Sequence, residues 1–108
     1  MEIRKVDNNV SWVYEGQPCG HCGEKIELVK HLGQFEAIAV LDNESLIVYN
    51  YNGFVRFIVR AEGPMAFSVK DVYDNGNILC HYPNLPGKLY VCVLDWTTGT
   101  MTMKVQYI

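Results

Sequence analysis

The sequence predicts an all-β protein: an antiparallel meander of about nine or ten short strands, curled or split into a two-layer sandwich. Three observations carry this expectation. A phrase recurs, with Val6-Asp7-Asn8 leading into Val10–Tyr14, Leu41-Asp42-Asn43 into Leu46–Tyr49, and Tyr73-Asp74-Asn75 into Ile78–Tyr82. Asp7, Asp42 and Asp74 are 35 and then 32 residues apart, a period of about one hairpin plus a return strand. Asn, Asp and Gly cluster between apolar runs at Asp42–Ser45, Asn52-Gly53 and Asp74–Asn77, where a tight turn needs positive φ. The runs themselves are of strand length and rich in β-branched and aromatic residues.

Taken in order, strands fall near 2–6, 10–15, 35–41, 46–51, 54–60, 66–73, 77–82, 88–94 and 100–107. Pro18–Gly23 reads as a Pro/Gly connector. Glu24–Leu32 admits two readings: a strand, or a short helix with a C-cap at Gly33. Repeat register favours the strand, because the segment follows Gly23 as Phe54–Arg60 follows Gly53. Ala37–Leu41 is apolar on both faces and is the expected central strand. In 54–60, Val55, Phe57 and Val59 are expected to face inward, with Arg56 and Arg60 outward. In 100–107, Met101, Met103, Val105 and Tyr107 alternate with Thr102, Lys104 and Gln106. Asp95–Gly99 is a longer turn closed by glycine. Pro64, Pro83 and Pro86 sit between strands, where a missing N–H does no harm. The whole is one domain, 1–108, of three imperfect hairpin repeats near 3–34, 35–65 and 66–107. Short turns join antiparallel neighbours, and so many strands in one flat layer would leave much apolar surface wet, hence the curling or splitting.

Composition narrows the function classes. The chain has 108 residues, 49% hydrophobic and 19% charged, with a net charge of −3. Its nine Lys and Arg are scattered, with no basic stripe interleaved by aromatics, which argues against nucleic acid. No run approaches the ~20 apolar residues of a membrane helix. Met1–Asp7 lacks the apolar core of a signal sequence, so the expectation is a cytoplasmic protein with reduced cysteines and no membrane partner.

One segment looks chemical. In Pro18-Cys19-Gly20-His21-Cys22-Gly23, two thiols two residues apart could grip one metal in a glycine knuckle. Three readings stand: a plain connector, a zinc half-site at Cys19 and Cys22, or a redox pair, the last wanting a βαβ setting this chain lacks. Cys80 and Cys92 read as buried, inert thiols. His31 and His81 are isolated, and Asp7, Asp42, Asp74 and Asp95 open turns. Without a nucleophile elbow, phosphate loop or paired-carboxylate motif, the expectation is no enzyme and no cofactor, zinc being the alternative. The aromatics are more suggestive, because Tyr and Trp make binding hot spots. Trp96, Tyr49, Tyr51 and Tyr82, with Asp95 beside Trp96, are the candidate partner-binding residues. The open edges of a sheet are further docking rails.

Leu46–Arg56 and Leu94–Thr100 are similar to the strand, turn and closing-hairpin phrases of propeller blades. In an isolated chain of this size the texture resembles the small immunity proteins of bacterial polymorphic-toxin and contact-dependent inhibition systems. That resemblance implies a compact, cytoplasmic, non-catalytic protein that occludes a toxin domain's active site. The second expectation is a zinc-stabilised structural or adaptor protein organised by Cys19 and Cys22.

Overall fold

The computed structural model describes residues 1–61 and 66–107, without the side chains of Gln106 and Tyr107. Pro64 and the Tyr107 ring lie outside the described residues. Among the described residues, eleven strands form three antiparallel meanders. The first sheet holds β1 (Arg4–Val6), β2 (Asn9–Tyr14) and β3 (Gln17–Cys22). The second holds β4 (Ile26–Leu32), β5 (Ala37–Asp42), β6 (Ser45–Asn50) and β7 (Val55–Val59). The third holds β8 (Ser68–Val72), β9 (Ile78–His81), β10 (Leu89–Leu94) and β11 (Met101–Tyr107). Strand order follows chain order in every sheet, the form expected of blade-like hairpins.

The sheets stack face to face with the second in the middle, so there are three layers where two were expected. β5 shows why. Ala37, Ala39 and Leu41 enter the core shared with the third sheet, while Ile38 and Val40 enter a separate core shared with the first. A strand apolar on both faces is stable only when both faces are covered. Two cores also house more rings than one: Trp12 and Tyr49 fill the first interface, Tyr82 and Trp96 the second.

The recurring Asp-Asn phrase marks the same corner in each sheet, between β1 and β2, β5 and β6, and β8 and β9. Each sheet therefore shares a three-strand unit, to which the second sheet adds β4 in front and the third adds β11 behind. The first sheet is the bare unit. Ile26–Leu32, counted with the first repeat by sequence, is a strand that pairs with β5 and so belongs to the second sheet. Pro18–Gly23 is also not a free connector: Gln17–Cys22 pairs with β2 in unbroken register from Tyr14↔Gln17 to Asn9↔Cys22.

Among the described residues, four register shifts interrupt the sheets, and those at β11 and β7 re-aim side chains against simple alternation. In β11 the register shifts opposite Val91/Cys92, so Met103 faces Cys92 while Val105 faces Val91, on opposite sides of the sheet. In β7, Val48 pairs with Phe57 but Tyr49 with Val55, leaving Arg56 as the extra residue. Phe57 and Val59 thus face the third sheet as expected, whereas Val55 turns to the side of Tyr49, toward the first sheet.

Candidate binding face

The otherwise apolar junction of the first two sheets holds one closely fitted polar cluster. His21 projects inward from β3, because it pairs with Val10 and partners directly opposite share a face. Its Nε2 donates to Asp42 Oδ2 at 2.8 Å, and its Nδ1 meets the Tyr49 hydroxyl. A carboxylate only accepts, which fixes a proton on Nε2 and leaves Nδ1 paired with the Tyr49 hydroxyl. Asp42 Oδ1 also accepts the Lys25 and Glu24 N–H groups, at 2.9 and 3.2 Å. Burial works to raise the Asp42 carboxyl, but the Lys25 N–H, the His21 ring and the Glu24 N–H outweigh it and hold it below the usual carboxylate range. Burial and then the Asp42 charge raise the Tyr49 phenol. Gly23 lies so close that a Cβ there would come within 2.3 Å of Asp42 Oδ2. This is a latch between sheets, with every group satisfied by a neighbour.

The two cysteines of the chemical-looking segment point apart. Cys19 pairs with Trp12 and faces the inter-sheet core, whereas Cys22 pairs with the exposed Asn9 and faces out. Residues three apart in a strand take opposite faces, with Cα atoms roughly 10 Å apart. That separation forbids both a zinc knuckle and a disulfide. Cys19 instead packs under the β6–β7 turn, its thiol 3.6 Å from the Tyr51 carbonyl. Cys80 and Cys92 are fully buried, and the proximity of Cys92 together with burial pushes the Cys80 thiol up. Among the described residues no cluster of three His, Cys, Asp or Glu could hold a metal ion.

Most of the rings expected at a binding surface are interior. Trp96 is 5% exposed, stacked on Phe35 and edge-on to Phe57, its Nε1 donating to the Gly76 carbonyl at 2.9 Å. Tyr82 is buried between Phe67 and Tyr90, and Tyr49 between Trp12 and His21. Tyr51 is half-buried, its hydroxyl on His31 Nε2 at 2.7 Å. Asp95 is exposed, but its carboxylate closes its own turn by accepting the Thr97 and Thr98 N–H groups. These residues therefore do not form one surface.

On β7 two exposed apolar residues share one side, Val55 at 49% and Ile58 at 44%, and Phe54, 72% exposed, immediately precedes the strand. Val55 and Ile58 pair with Tyr49 and Ile47, both on the side facing the first sheet. The first sheet covers the rest of that side. Ile3, just before β1, lies beside Val29 of β4; Trp12 of β2 meets Tyr49; His21 of β3 reaches Tyr49 of β6, and Cys19 reaches Tyr51 in the β6–β7 turn. With three strands laid over four, β7 is left uncovered. The sequence offered one signal for this, the apolar Ile58 in phase with Arg56 and Arg60, which were read as outward; the bulge at Arg56 that turns Val55 to join it carried none.

Arg56 itself fastens the opposite side. Its guanidinium donates to the carbonyls of Phe35, Glu36 and Trp96 at 2.8–3.2 Å, and to Asn50 Oδ1 at 2.6 Å. The turn of the third sheet is thereby tied to the second. The arrangement is a stack of three sheets with an uncovered apolar ledge on β7. No helix among the described residues is long and apolar enough to cross a membrane. The chain matches no protein-family model, no curated protein and no solved structure.

Proposed function

We propose that this chain is a non-catalytic protein-binding module, working in the cytoplasm as an immunity protein that occludes the active site of a toxin domain. The observation that carries the reading is the ledge of Val55 and Ile58 on β7, with exposed Phe54 at its start. Exposed apolar residues gathered beside a sheet edge are what a protein interface requires, and scattered ones are not. The packing of two cores around the second sheet supports it, because a preorganised surface loses little entropy on binding. The net charge of −3 suits a basic partner. The zinc-adaptor reading has no comparable support, since the strand geometry of β3 separates its two thiols.

The test is co-expression with the products of the adjacent genes. The reading predicts that one of them arrests growth alone and that this chain restores growth. Arrest without restoration, by every neighbouring product, overturns the immunity role.

A further inference from the structure

Resting on the protein-binding reading, we infer that the partner binds by adding an extended strand to β3, filling the fourth position of the first sheet. Glu15 (φ 50) and Gly16 (φ 78) make a two-residue turn, so Tyr14 and Gln17 form its hydrogen-bonded closing pair. Alternation then turns the backbone groups of Cys19 and His21 toward β2, and those of Pro18, Gly20 and Cys22 toward the open edge. The Gly23 N–H, bonded to the Asn8 carbonyl, fits the same phase. Pro18 has no N–H to offer, so Gly20 and Cys22 supply the donors.

A strand laid there has its inner side chains above Val55 and Ile58, extending the core that Trp12, Ile38 and Tyr49 already form. The third sheet holds the equivalent position with β11, beside β10. The occupant's chemistry follows: apolar side chains at alternate positions, and a carboxylate where the strand passes exposed Arg60. A second copy of this chain does not fit antiparallel on the same edge. Its own β6 lies under its β3, and β7 of the first copy already projects into that space. A single strand with nothing beneath it meets no such obstacle.

The experiment selects short random peptides, displayed on phage, against the intact protein, and follows amide exchange by NMR. Selected peptides should alternate apolar residues and slow the exchange of the Gly20 and Cys22 amides at least tenfold. Binding should be lost on Ile58→Asp, kept on Val93→Asp in the third sheet, and lost when alternate peptide nitrogens are methylated. The methylated peptides decide the matter even if Ile58→Asp fails to fold. Binding that leaves Gly20 and Cys22 unprotected, or that survives methylation, overturns strand addition, and a dimer protecting those amides overturns it in favour of a second copy. Peptides adding to β3 while no neighbouring product is neutralised leave the strand site standing and remove the immunity role.

Discussion

His21 donates to Asp42 across the seam between the first two sheets, 2.8 Å from Nε2 to Oδ2. The acceptor ends the central strand and also binds the Lys25 and Glu24 N–H groups that lead into β4. One carboxylate thereby orders the chain's passage from sheet to sheet. A group whose folded pKa is depressed contributes stability above its unfolded value and loses it as pH falls through the folded one. Unfolding free energy should therefore decline as pH drops below about 4, the unfolded carboxylate range. Asp42→Asn places a donor against the His21 N–H, which should cost about 1–3 kcal/mol at neutral pH and flatten the acid limb. Urea titrations from neutral to acid pH check both.

Trp96 should behave as a core residue. Removing a buried Trp costs about 3–5 kcal/mol, so Trp96→Ala should lower stability by that order. Gly76→Ala should be similarly damaging, because φ is +90° and its Cβ would meet Phe35 and Trp96 at 2.6 Å. Thermal melts of the two variants measure this. Near-wild-type stability in Trp96→Ala would mean the ring is not packed as described.

Arg56→Lys should cost about 1.5–3 kcal/mol despite keeping the charge, since one ammonium cannot reach three carbonyls and an amide together. Chemical denaturation gives the number directly.

Cys22→Ser should be close to neutral, within about 0.5 kcal/mol, as for an exposed site without buried contacts. Chelator treatment should leave the melting temperature of the wild type unchanged. A fall in stability on chelation would restore the zinc reading.

The sequence made much of this architecture legible, and the residues show why. Asp-Asn and Asn-Gly corners act locally, through the positive φ they tolerate, so the hairpins could be placed from composition. Ala37–Leu41 declared itself central because apolar residues on both faces demand two coverings. β3 stayed hidden because Pro18 and Gly20 have low strand propensity, and the segment is extended only through pairing with β2. Burial of Trp96 depends on Phe35 and Gly76, distant in sequence. The His21–Asp42 contact was equally out of reach, since nothing local distinguishes Asp42 from Asp7 or Asp74. The ledge on β7 turns on one bulged residue, Arg56, whose guanidinium seeks carbonyls three elements away.

The most direct measurement is a calorimetric titration of the neighbouring gene product into wild-type protein and into Ile58→Asp. Saturable one-to-one binding is expected for the wild type, with affinity falling at least ~100-fold in Ile58→Asp, about 3 kcal/mol, while its melting temperature holds. Equal affinity for both proteins would contradict the account.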